Sequence, residues 1–107
     1  MDHRMNMRVG VELPVEIQTR DRTVRGLAVG LSFEGMRVSL DNEPPLPEGM
    51  VSVSFEPDTV AIKMQAMVVH QHRAEVGFMF GHYSGEIETY LGNRLTEALE
   101  HKVKAPR

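Results

Sequence analysis

Residues 11–40, VELPVEIQTRDRTVRGLAVGLSFEGMRVSL, decide the fold. Through Val11-Glu12-Leu13-Pro14-Val15-Glu16-Ile17-Gln18 apolar and polar side chains alternate, which places Val11, Leu13, Val15 and Ile17 on one face of a half-buried strand. Pro14 has no amide hydrogen to give to a ladder, so its nitrogen must face an edge or a bulge. Thr19-Arg20-Asp21-Arg22 reads as a polar hairpin connection, and residues 23–31 resume the strand with Leu27, Val29 and Leu31 as the apolar set. Ser32-Phe33-Glu34-Gly35 breaks the alternation as a short turn. Met36, Val38 and Leu40 then restart it against outward Arg37 and Ser39.

The same pattern extends downstream. Residues 41–49, with Pro44, Pro45 and Pro47, form a loop that cannot be sheet interior. Val51, Val53 and Phe55 mark a fourth strand; Val60, Ile62, Met64, Ala66 and Val68 one face of a long fifth; Val76, Phe78 and Phe80 a sixth. Six short strands without an intervening helix point to a barrel or a sandwich. From Ser84 the period changes to three and four, through Ile87, Tyr90, Leu91, Leu95, Ala98 and Leu99, which predicts an amphipathic helix over 84–103. Ser84 suits its N-cap, Glu86 and Glu88 the positive end of its dipole, and Lys102 and Lys104 the other end. No internal repeat or second domain is visible, so the expectation is one domain over 1–107: a mobile basic leader over 1–9, a barrel over 10–82 and the helix.

Composition narrows the functional classes. The 107 residues include no cysteine and no tryptophan, which removes disulfides and cysteine-based zinc sites. At a formal charge of −3 the chain lacks the basic surface of a general nucleic-acid binder. No apolar run approaches a membrane span, and Met1-Asp2-His3-Arg4 lacks the apolar core of a signal peptide, so the expectation is a cytoplasmic protein with no membrane insertion. The charge is uneven, however. Arg4, Arg8, Arg20, Arg22 and Arg25 crowd the first 25 residues, while residues 41–58 carry Asp41, Glu43, Glu48, Glu56 and Asp58 without one lysine or arginine. Arginine also outnumbers lysine, and the planar guanidinium fork suits guanine edges and phosphates.

Two motifs stand in a telling relation: Arg4-Met5-Asn6-Met7-Arg8 just before the first strand, and Ser32-Phe33-Glu34-Gly35 between the second and third. Together with the strand order they resemble the PilZ family, as do Val9, Pro14-Val15, Glu34-Gly35-Met36-Arg37-Val38, Gly49 and Val76-Gly77-Phe78-Met79-Phe80. The resemblance covers residues 3–100. It implies a mainly β fold, a six-stranded antiparallel barrel with a C-terminal α-helix, and a site for cyclic diguanylate formed by an Arg-x-x-x-Arg leader and an (Asp/Asn)-x-Ser-x-x-Gly turn. The ligand-binding residues it implies are Arg4, Arg8, Ser32 and Gly35, with His3, Asn6, Gly30 and Arg37 as weaker candidates. Each arginine can meet the O6/N7 edge of guanine, stack on a base or pair with a phosphate, and binding would order the leader. The serine hydroxyl and turn backbone would add short hydrogen bonds from the barrel side.

The chain departs from the family pattern twice. Gly30 stands where the family has Asp or Asn, and losing one charge-assisted hydrogen bond costs about 1.5–3 kcal/mol. Asn6, Glu34, Arg37 and Arg25 are candidates to replace it. His3 precedes the first motif arginine where an arginine accompanies binding of a stacked ligand dimer, so a single ligand molecule is expected.

Bland readings stand beside these. A terminal arginine pair is ordinarily a solvated leader, and Ser and Gly are common turn residues for local reasons. His70 and His72 sit two apart on a strand and share a face, but nothing recruits further ligands, so no metal is expected. Met36, Met64 and Met79 are read as filling core or sheet faces, although methionines also suit adaptable partner grooves. No nucleophile with an adjacent base and no phosphate loop before a helix is present, so no catalysis and no cofactor is expected. The function expected is a cyclic diguanylate effector of bacterial second-messenger signalling, in motility or polysaccharide control, acting on an unidentified protein partner. The alternative is an adaptor of the same fold that works by protein contact without the nucleotide. The chain is expected to be a monomer or weak homodimer.

Overall fold

The alternation of the first strand closes into a barrel. The computed structural model describes residues 8–40, 45–57, 59–82 and 84–104, with helix side chains described as far as Arg94. Six antiparallel strands, β1 (Val9–Gln18), β2 (Thr23–Leu31), β3 (Gly35–Leu40), β4 (Gly49–Phe55), β5 (Ile62–His72) and β6 (Glu75–Phe80), are followed by helix α1 (Gly85–Lys104). They close in the order β1-β2-β3-β6-β5-β4, sealed where β1 meets β4 from Val15↔Phe55 to Gln18↔Ser52. The β4 pairing stops at Val15, so Pro14 lies just past its end and beside a register shift between Gly10 and Leu13. This is the edge-and-bulge setting that a residue without an amide hydrogen requires.

The interior is filled by the inward positions of every strand. Val11, Val15 and Ile17 of β1, Met36, Val38 and Leu40 of β3, Val51, Val53 and Phe55 of β4, and Val76, Phe78 and Phe80 of β6 are all buried, as the alternation requires. Ile87, Tyr90 and Leu91 of α1 join the same core. The helix is capped by Ser84, whose Oγ accepts from the Ile87 amide at 3.2 Å, so it begins one residue later than its sequence pattern predicts and runs to Lys104.

Two expected faces are corrected. In β2 the core residues are Val24, Ala28 and Leu31, while Leu27 is 38% exposed and Val29 half-buried. The cause is a bulge: the β2–β3 register skips from Ala28 to Gly30, leaving Val29 unpaired, and an extra residue inverts the two-residue phase. Val60 is 57% exposed and precedes β5, because the β4–β5 ladder ends at Phe55↔Ile62. Ile62, Met64 and Ala66 hold the interior face as expected, with Val68 partly buried against it.

β3 and β4 are not neighbours, so their connection crosses the barrel end. Leu46 plugs that end, held by a reciprocal pair: its amide donates to Gln71 Oε1 and its carbonyl accepts from Gln71 Nε2, both at 2.9 Å. Residues 41–44 of the expected loop lie outside the described residues. β4 opens at Gly49 with φ +108°, a conformation open to glycine at little cost.

Candidate ligand-binding site

The two turns that bound β2 are built alike. At one end Thr19 Oγ1 accepts from the amides of Asp21 and Arg22 (3.2 and 3.1 Å) and donates to the Arg22 carbonyl (3.0 Å). At the other, Ser32 Oγ accepts from the amides of Glu34 and Gly35 (3.2 Å each) and donates to the Gly35 carbonyl (3.3 Å). Each turn also carries a backbone bond at 2.9 Å, from the Thr19 amide to the Arg22 carbonyl and from the Ser32 amide to the Gly35 carbonyl. The hydroxyl organises a polar turn whose amides would otherwise lack partners. Ser32 is 3% exposed, so its hydroxyl shapes the turn from within.

Gly35 ends that turn against β6. A Cβ there would overlap the Phe78 carbonyl oxygen, so the close approach of β3 to β6 admits glycine alone. The Glu34 carbonyl accepts from the Phe80 amide at 2.8 Å, which ties the turn to the same strand.

Above the turn, Gly30 is the centre of a strip across three strands. It pairs with Gly10 of β1 on one side and Arg37 of β3 on the other. Register shifts in β1 and β2 fall at this end of the barrel, as bulges commonly do beside binding sites. The missing Gly30 side chain leaves room that Arg8 uses. A Cβ built on Gly30 would lie 3.2 Å from Arg8 Cδ, 3.5 Å from its Cγ and 3.8 Å from Arg37 Cβ. The Arg8 stem therefore lies over buried Gly30 while the residue as a whole stays exposed. Arg37 is exposed beside it, its Nε 3.6 Å from Glu75 Oε1, a surface pair worth little in water.

The structure thus brings Arg8, Gly30 and Arg37 together next to the turn of Ser32 and Gly35. Arg25 lies five residues down β2, its Nε 3.6 Å from Glu16 Oε2, away from Gly30. His3, Arg4 and Asn6 lie outside the described residues. Because β1 already includes Val9, the leader reaches only to Arg8. Sequence reasoning missed Arg94: its Nη2 donates to the Gly10 carbonyl at 2.9 Å, which adds a third guanidinium at this end and fastens α1 to the start of β1. An arginine on a helix face carries no sequence signal for such a contact 84 residues away.

Elsewhere the setting is less suited to an anion. A concavity of about 540 Å³ beside the start of α1 is lined by Pro57, Val60, Ile62 and Tyr90 with Glu86 and Glu88, and no arginine or lysine. Among the described residues no group of three or more His, Asp or Glu is placed to hold a metal, and His70 and His72 are exposed on β5. No described helix is long and apolar enough to cross a membrane.

The sequence matches the model of the PilZ domain over residues 2–97. The chain belongs to the PilZ family. PilZ domains as a family are cyclic diguanylate receptors and adaptors that act on protein partners. Among solved structures, the chain is similar to the PilZ domain of CeSA from a cellulose-synthesising bacterium, at 21% identity and TM-score 0.65, over 89% of this chain and 99% of that one. It is also similar to the PilZ domain of YcgR from Escherichia coli, solved with c-di-GMP, at 18% identity and TM-score 0.66, over 92% of each chain. A third likeness is to the Bacillus subtilis inhibitor of motility MotI/DgrA, at 18% identity and TM-score 0.67, covering 87% of this chain and half of that one. At these identities the three establish the fold, the closed barrel with its C-terminal helix. No curated protein matches the sequence.

Proposed function

We propose that this PilZ domain is a non-catalytic cyclic diguanylate receptor, read as one domain over 1–107, that acts in the cytoplasm on a protein partner. One observation carries the reading: the Arg8 stem lies over Gly30, beside Arg37 and above the turn of Ser32 and Gly35. This arrangement supplies what a cyclic dinucleotide needs, planar forks for guanine edges and phosphates above a floor bare of side chains. Arg4, and with it His3 and Asn6, completes the clamp from the leader, and closing it around one ligand molecule changes the surface offered to the partner. Ser32 and Gly35 contribute by fixing the turn beside Gly30. The YcgR domain solved with c-di-GMP supports the choice of ligand.

A second reading rests on Gly30 itself. Without a carboxylate or amide at this position the site lacks one acceptor, which favours an adaptor that works by protein contact alone. Calorimetric titration with cyclic diguanylate separates the two. A receptor binds one molecule per chain and loses that binding in Arg8→Ala, with the fold unchanged because Arg8 is exposed. A wild-type chain that gives no heat and no thermal stabilisation with the ligand overturns the receptor reading and leaves the adaptor.

A further inference from the structure

Arg37 stands between two glycines. Its direct partner on β2 is Gly30 and its direct partner on β6 is Gly77. Paired residues share a face, so the side chains directly opposite are what ordinarily hem in an outward arginine, and here both are missing. On β6 the diagonal neighbours are Glu75 and Met79, two residues to either side of Gly77. Arg37 turns to the first of them. Glu75 Oε1 lies 3.6 Å from Arg37 Nε, with both side chains about half exposed. At that exposure the pair adds little to stability. It does restrict a side chain that loses much rotamer freedom on being fixed and that has bare backbone on either side. The closest approach is through Nε. A guanidinium is a planar fork of five N–H donors, so a carboxylate seated at the Nε side leaves the terminal Nη1–Nη2 edge for a phosphate or a guanine edge.

We propose that Glu75 is a positioning residue of the ligand site: it holds Arg37 by Nε, so that the terminal edge of the guanidinium is presented to the cyclic dinucleotide beside Gly30. The inference rests on the receptor reading above. The root of Arg37 is at the floor, since a Cβ built on Gly30 would lie 3.8 Å from Arg37 Cβ. Glu75 is on β6, the side of Arg37 away from Gly30, so it acts through the arginine, and its own charge is turned toward the guanidinium. Arg25 supplies the comparison. Its Nε is likewise 3.6 Å from a carboxylate, Glu16 Oε2, but Glu16 is its direct partner across β1 and β2 and the pair stands away from Gly30. The same chemistry is therefore present twice, once at the site and once outside it.

Isothermal titration of the full chain with cyclic diguanylate tests this. Glu75→Ala weakens binding by about threefold to fivefold, the range that an exposed ion pair can hold. Glu75→Gln keeps an oxygen for the Nε–H to bond and stays within about twofold of wild type. In an Arg37→Ala background, where Arg8 still meets the ligand, Glu75→Ala has no further effect, as required of a residue that acts through Arg37. Glu16→Ala breaks the matching pair outside the site and leaves the affinity unchanged. Glu75 and Glu16 are both exposed, so each variant keeps the fold. A carboxylate that merely repelled the ligand would give the opposite sign, with tighter binding in both Glu75→Ala and Glu75→Gln, and that result would overturn the proposal. So would a Glu75→Ala effect that persists at full size without Arg37. A wild-type chain that binds nothing overturns the receptor reading and this inference together. Binding lost in Arg8→Ala but undiminished in Glu75→Ala overturns this inference alone.

Discussion

Replacing Gly30 by aspartate adds back an acceptor at the centre of the three-strand strip, and the structure fixes what that costs. The new Cβ meets Arg8 Cδ at 3.2 Å, so the Arg8 stem must give by a few tenths of an ångström, while Arg37 Cβ at 3.8 Å is an ordinary neighbour. Arg8 is exposed and free to change rotamer, which holds this cost to about 0.5 kcal/mol. The carboxylate gains one charge-assisted hydrogen bond to ligand or guanidinium, about 1.5–3 kcal/mol. The balance is about 1–2.5 kcal/mol, or roughly 5- to 70-fold tighter cyclic diguanylate binding. Isothermal titration reads it directly, with Gly30→Ala as the steric control; alanine adds the same Cβ without the acceptor and is expected to bind within about twofold of wild type. If Gly30→Asp binds no tighter than Gly30→Ala, position 30 needs no acceptor and the reasoning from the three-strand strip is wrong.

Two further outcomes concern the turn. Ser32→Ala leaves the Glu34 and Gly35 amides without their buried acceptor and lowers stability by about 1–3 kcal/mol, read as a drop in Tm of several degrees with the ligand absent. An unchanged Tm would show that Ser32 is held for the ligand and not for the fold. Gly35→Ala forces β3 away from the Phe78 carbonyl and costs more than Ser32→Ala, measured by urea unfolding; an alanine variant as stable as wild type would refute the close approach.

The strands were legible where alternation ran unbroken. Val15 and Ile17, or Val76, Phe78 and Phe80, are inward because a two-residue period leaves no other choice. β2 misled for the same reason, since its bulge at Val29 is a backbone event that spares Leu27 from the core and admits Ala28, and no residue in that stretch announces it. Val60 continued the arithmetic of β5 although the partner strand had ended. At the candidate site, the motif spacing pointed to Arg8, Ser32 and Gly35, but their division of labour is three-dimensional. That Gly30 receives the Arg8 stem depends on pairing across twenty residues, and that Arg94 reaches Gly10 depends on where the helix lies.

The ladder that closes the barrel is also, among the described residues, its shortest: four register pairs join β1 to β4, against eight between β1 and β2. A closed sheet yields first along its weakest seam, so local opening should begin between Val15 and Gln18 and expose backbone amides there before the rest of the barrel. The seam ends at Val15, five residues along β1 from Gly10, where Arg94 grips from the helix, and Arg8 emerges two residues before Gly10. Whatever settles over Arg8 therefore acts at the start of the strand that carries this seam, and steadying β1 is felt as slower hydrogen exchange along β4, a strand that the candidate site never touches.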